Sequence, residues 1–157
     1  MALHHRSRAV VAAAAAALAL CSAPAFAAPP EPIDQTIELD AGVACAFPVE
    51  LVLTGKRKAI ELPGGRIIVT APDQYVTVTN LANGSSVRLN ITGTFHVTTA
   101  ANGDVVTVVT GRNALLDPVA GFVLTEGDFT FAFDDAGNLI APLSGTGQVT
   151  DICAMVA

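Results

Sequence analysis

Few side chains in this sequence have chemistry to offer. His96 is the only histidine after His5, and it alternates with Phe95 and Val97. That alternation turns the imidazole away from the apolar side of a strand. A general base needs a partner within hydrogen-bond reach, and no neighbouring residue nominates itself. One histidine and two cysteines fall short of the three or four N/S ligands of a zinc site. Asp134-Asp135-Ala136-Gly137-Asn138 has a calcium loop's composition but lacks the alternating acidic spacing and the distal glutamate. Hairpin-turn chemistry accounts for all five residues. Ser144, in Leu143-Ser144-Gly145-Thr146-Gly147, does not sit in a Gly-x-Ser-x-Gly elbow. No catalytic residue, metal site or cofactor is therefore expected. An enzyme would have to be a small barrel of isomerase or cyclase type, working through His96, Tyr75 or Asp128.

The cysteines and the first residues speak to compartment. His4, His5, Arg6 and Arg8 make a basic head, residues 9–20 are apolar, and Ala25-Phe26-Ala27 is a small-x-small cleavage pattern. Residues 1–27 thus read as a removable signal peptide, and the remainder as secreted. Leu18-Ala19-Leu20-Cys21 also resembles a lipoprotein box, so an anchor through Cys21 is the minor alternative. Removal of the leader leaves only Cys45 and Cys153, which an oxidising compartment is expected to join. It also takes away two of the 8 basic residues, moving the net charge from −6 to −8. Such an acidic chain is not suited to nucleic acid. Half of its remaining basic charge is Lys56-Arg57-Lys58, expected in a loop between two strands. That tip either contacts anionic surface polymers or lipid head groups, or merely blunts a strand edge.

These residues must be positioned by strands. Residues 28–32 are a proline-rich leader, and residues 33–157 read as a single β domain rich in Val, Ile, Thr and Phe. Gly, Pro, Asn and Asp punctuate it roughly every ten residues, as in an all-β fold. A two-residue turn at Asn83-Gly84 would pair Val78 with Leu89 and Val76 with Ile91. A three-residue loop at Asp135-Ala136-Gly137 would pair Phe133 with Leu139, Phe131 with Ala141 and Phe129 with Leu143. A turn at Asn102-Gly103 would set Val97 opposite Val108 and leave Val105 and Val109 on an outer face. Residues 86–99 read as one long strand, bent where Gly93 faces inward. Strands over 47–53, 58–62, 66–71, 121–125 and 148–154 bring the count to about eight or nine, mostly antiparallel and meandering. Leu115-Leu116 is expected to make one turn at most before Pro118. A barrel is preferred over a two-layer sandwich, because a Cys45–Cys153 bond would bring the two ends of the fold together.

Inside such a barrel, Phe95, Phe129, Phe131 and Phe133 would line the interior. They either fill it or leave room for one small apolar molecule. The expected function is that of an exported, non-catalytic domain acting by binding, with an apolar small molecule or a cell-surface component as partner. A structural or protein-interaction domain, using Val105 and Val109 as its patch, is the other reading. Residues 79–84, 111–118 and 143–153, from Thr79-Asn80-Leu81 to Asp151-Ile152-Cys153, resemble small exported actinobacterial proteins of unassigned function. The resemblance implies export and an all-β domain, and neither an activity nor a site residue.

Overall fold

The computed structural model describes residues 28–157. The signal-peptide and Cys21 readings fall on residues 1–27 and lie outside the described residues. Nine strands and one short helix follow in order. They are β1 (Glu31–Leu39), β2 (Val49–Leu62), β3 (Arg66–Thr70), β4 (Tyr75–Asn80), β5 (Ser86–Asn90), β6 (Gly93–Thr99), β7 (Val105–Asp117), β8 (Gly121–Phe133), β9 (Leu139–Asp151) and α1 (Ile152–Val156). Every pairing is antiparallel: the fold is all-β, as the residue pattern predicts.

The path is a meander of long spans. β3 and β4 lie end to end along β2, with Lys58 opposite Thr70 and Thr54 opposite Tyr75. β5 and β6 lie end to end along that pair, β5 on β4 and β6 on β3. They form the long bent strand expected over 86–99, broken at Ile91 and Thr92. β7, β8 and β9 then add one after another, while β1 pairs with the other edge of β2. The sheet does not close. Beyond the facing pair Gly93 and Gly111, β5 and β7 part, bridged by Arg112 Nε donating to Asn90 O at 3.2 Å. β5 and β9 end the ladder, so the preferred barrel is not what forms.

A row of glycines explains how so long a sheet bends. Gly93 faces Gly111, Gly111 faces Gly127, and Gly127 faces Gly147, in unbroken register across β6 to β9. Inward glycines let a sheet fold over on itself where side chains would collide. At Gly127 the backbone has φ of +141°, and a Cβ would run into the carbonyl of Thr146. The row divides the sheet into a half that ends at the disulfide and a half that ends at the hairpin tips.

Two turns and one bulged stretch moved the expected registers. Gly84 N–H reaches Asn80 O at 2.8 Å, and Asn80 N–H reaches Ser85 O at 2.8 Å, so the loop holds four residues and not two. Val76 therefore faces Leu89 and Val78 faces Val87, shifted by two positions with the predicted faces intact. At Asn102-Gly103 the loop has three residues, Gly103 taking the left-handed position at φ of +92°. The pairing slips by one, Phe95 meets Val109, and Val109 becomes fully buried while Val105 is half-buried. The expected Val105/Val109 surface patch does not exist. At residues 135–137 the three-residue loop pairs Phe133 with Leu139 as predicted, but bulges follow, so Phe129 faces Gly145 and Ala132 faces Ala141. Pro142, with no N–H to give, sits in that irregular stretch on an edge strand.

Three further expectations change. Lys56, Arg57 and Lys58 lie within β2, just past its bend at Gly55, and not in a loop. Leu115 and Leu116 belong to β7. The last strand stops at Asp151, whose carboxylate caps α1 by accepting Cys153 N–H at 2.8 Å and Ala154 N–H at 3.3 Å.

Two apolar clusters form the core. The larger joins Val49, Val76, Val78 and Leu89 of β2, β4 and β5 to Phe122 and Leu124 of β8 and to Ile152 and Val156 of α1. Each such side chain contributes about 1.5–3 kcal/mol when fully buried. The Cys45–Cys153 disulfide borders this cluster, with Cα atoms 5.5 Å apart and a sequence separation of 108. Asn80 Nδ2 donates to Val156 O at 3.0 Å and ties the helix end to β4. The smaller cluster, on the opposite face of β7 and β8, gathers Val109, Leu115, Val123 and Phe129, with Phe95, Phe131 and Leu143 packed around them.

Candidate functional site: a cleft beside the glycine row

Where β5 and β7 part, the sheet leaves a cleft of about 280 Å³. Its position follows from the local sequence. The link between β3 and β4 runs Ala71-Pro72-Asp73-Gln74, where proline restricts the backbone and Asp73 takes a left-handed φ of +53°. Pro72 O accepts Lys56 N–H at 3.2 Å, and Gln74 O accepts Ile91 N–H at 2.9 Å, so this bend is strapped to both neighbouring spans. Ala71 and Gln74, both buried, thereby become one end of the cleft. Val69 of β3 and Phe95 of β6 face each other across the ladder and, with Val97, make the other end. Asn113 and Ala114 of β7 form the wall that β5 abandons, and Arg57 stands exposed beside them.

Asn113 is the residue that the sequence did not single out. It is 2% exposed, and its Oδ1 is the buried side-chain polar atom that has no hydrogen-bond partner among the described residues. Leaving a buried acceptor unmet costs about 1–3 kcal/mol. Asn113 Nδ2 donates to Thr110 O at 3.2 Å. A Cβ at position 93 would strike Oδ1, so the glycine there makes the space this carboxamide occupies. The backbone carbonyl of Asn113 accepts Thr125 Oγ1–H at 3.3 Å, which anchors the residue to β8.

Of the four phenylalanines expected to line an interior, Phe95 reaches the cleft. Phe129 and Phe131 pack in the smaller cluster, and Phe133 meets Phe131 edge-on with ring centroids 5.9 Å apart. His96 and Asp128 are exposed, on the outward positions of β6 and β8. Tyr75 is half-buried under Arg88, whose guanidinium lies 3.7 Å from the ring centre. No hydrogen bond among the described residues links these three into a catalytic set. In the 134–138 loop the Asp134 carboxylate accepts Ala136 N–H, Asn138 N–H and Asn138 Nδ2–H at 3.0, 2.7 and 2.9 Å, so turn formation uses it up. The Asn138 side chain, then its backbone N–H, holds Asp134 below the ordinary carboxylate range.

The one ion pair among the described residues is Arg112–Glu126 at 2.9 Å, so Arg57, like Lys56, Lys58, Arg66 and Arg88, has no acidic partner within 4 Å. A second hollow, about 390 Å³, lies on Arg57's other side, against Pro29, Glu31 and Pro32. It is polar, and Asn113 is not part of it. Among the described residues no helix is long and apolar enough to cross a membrane. No protein-family model, curated protein or solved structure matches the chain, so its function has to be read from the cleft itself.

Proposed function

We propose that this is an exported binding domain that holds a small, mostly apolar molecule in the cleft between β3, β6 and β7. One observation carries the reading: Val69, Phe95 and Val97 leave apolar surface around about 280 Å³ of open space where β5 and β7 part. Pockets of this kind, apolar with a few placed polar groups, are where small ligands settle. The leader pattern in residues 1–27 and the Cys45–Cys153 bond support the oxidising compartment. Toluene, a compact apolar probe, tests the cleft directly. Titrated into isotope-labelled protein, it should move the amide resonances of Val69, Phe95, Val97 and Ala114 in a saturable way. Phe95→Ala should weaken that binding about tenfold, through the loss of a ring's worth of contact. Shifts scattered over the surface, or none at millimolar toluene, would sink the proposal.

A further inference from the structure

We infer that the bare side of β9 is a self-association edge, where a second copy of this chain adds its own β9 antiparallel about a two-fold axis at Thr146. The inference stands apart from the cleft. β9 pairs with β8 on one side and ends the ladder on the other. From Ser144 to Val149 every residue is exposed. Backbone N–H and C=O groups along such a side take up another strand unless something blunts them. Other edges of this fold are blunted. β1 carries Glu31, Pro32, Asp34 and Glu38, and β5 is five residues long with Arg88 at its centre. β9 has Pro142 and a bulged stretch towards one end and Asp151 at the other, and residues 143–150 between them hold no charge and no proline.

The edge itself names its occupant. Leu143-Ser144-Gly145-Thr146-Gly147-Gln148-Val149 has the same order of residue types from either end: apolar, polar, glycine, threonine, glycine, polar, apolar. A two-fold contact asks for that symmetry, because residue i meets j while j meets i. Centred on Thr146, antiparallel pairing sets Thr146 against its copy, Gly145 against Gly147, Ser144 against Gln148 and Leu143 against Val149. An axis at Gly147 would oppose Leu143 to Asp151, and one at Gly145 would oppose Gln148 to Pro142. The glycine row favours the same centre. Each strand from β6 to β9 crosses the bend with a glycine, and here the added strand does too, the second copy's Gly145 lying beside Gly147. Val149 is 48% exposed, while Leu143 packs around the smaller cluster. Pairing them covers Val149 and carries that cluster across the axis. An acidic chain repels its own copies over most of its surface, and a charge-free strand is where two can meet.

Sedimentation velocity and a cysteine series test the edge together. A contact through one strand lies at the small end of specific interfaces, so a monomer should pass to a dimer with a Kd of about 10–100 μM. In the double variant Ser144→Lys with Gln148→Lys, two pairs of like charges face each other, and the Kd should rise about tenfold or more. Directly opposed Cα atoms of antiparallel strands lie about 4.5–5.5 Å apart, within disulfide reach. Thr146→Cys should therefore oxidise to a covalent dimer. Ser144→Cys alone should not, whereas a mixture of Ser144→Cys and Gln148→Cys should. A monomer at every concentration up to about 1 mM would overturn the inference and leave the edge to a strand of another protein. A dimer that ignores the lysine variant and gives no Thr146→Cys product would overturn it by placing the contact elsewhere. Growth beyond the dimer would overturn the closed two-fold in favour of head-to-tail addition. Should the lysine variant fail to fold, the cysteine series decides the register alone.

Discussion

The two halves of the sheet, either side of the glycine row, are built to different ends. On the disulfide side, β8 is covered on both faces. Phe122 and Leu124 meet β2, β4, β5 and α1, while Val123 and Thr125 are buried on the other face. On the hairpin side Val109 and Phe129 pack with Phe95, Phe131 and Leu143. His96, Thr98 and Val106 look outward, and only the curl of β6 to β9 shelters Phe129 and Val109. One half spends its apolar residues on a closed core. The other leaves Phe95 and Val97 half-exposed over a cleft. The cleft lies across the glycine row, with Ile91, Asn113 and Ala114 on the disulfide side and Val69, Phe95 and Val97 on the hairpin side.

The largest expected effect tests the closed half. Replacing both Cys45 and Cys153 by serine frees a loop spanning 108 residues. Chain entropy alone then predicts a loss of about 4–5 kcal/mol, read from urea or guanidinium unfolding curves. The slack should appear first on the disulfide side, with amide exchange rising in α1 and at Val78 and Phe122 before it rises at Val109 and Phe129. Uniform loosening across both halves would show that the glycine row is no boundary.

The boundary itself comes next. Gly127→Ala forces a side chain into a φ of +141° and against the carbonyl of Thr146. The cost should reach about 3 kcal/mol, through backbone strain together with a close contact that rigid neighbours cannot relieve. Gly84→Ala is the control: φ is +76°, nothing lies within 4 Å of the new Cβ, and about 1 kcal/mol is expected. Chemical denaturation of the two variants side by side gives the comparison. Equal losses would mean that the glycine row matters only as a set of unusual torsions and not as a fold line.

The features that were legible in the sequence are those carried by alternation. Val76, Val78 and Leu89 announce their buried face, and the two-residue error at the Asn83-Gly84 loop preserved that face because side chains repeat every second residue. Where the error was one residue, at Asn102-Gly103, the faces inverted and Val109 moved from an expected surface to the core. Both errors came from the turns, where hydrogen bonds such as Ala82 N–H and Ser85 N–H to the Asn80 and Asn83 side chains lengthen loops beyond what glycine positions suggest. Of the glycine row only Gly93 was legible, as the inward bend of residues 86–99; Gly111, Gly127 and Gly147 align with it only once three registers are known. Of the site, Phe95 was visible as an inward ring. Asn113 was not, since an asparagine beside the strand-ending Asp117-Pro118 looks like turn chemistry until β7 is seen to run through it.

The smallest effect belongs to the hairpin tip farthest from the disulfide. Asp134 accepts three hydrogen bonds within its own loop, and its pKa in the fold lies below the ordinary aspartate value, chiefly because of the Asn138 side chain. A lowered folded value means that the proton binds the unfolded chain more readily. Asp134 therefore stabilises the hairpin above the unfolded pKa, and that contribution disappears as pH falls through the folded one. Between pH 7 and 5, roughly, the carboxylate stays ionised in both states and stability should not respond to it. Carboxyl carbon shifts followed by NMR should place the Asp134 midpoint below that of an aspartate in an unstructured peptide, and Asn138→Ala should move it up toward that value. The disulfide half should be indifferent to that substitution, its amide shifts at Phe122 and Ile152 unchanged. If they moved, the glycine row would be transmitting strain from the tip into the closed core, and the separation of the two halves would have to be given up.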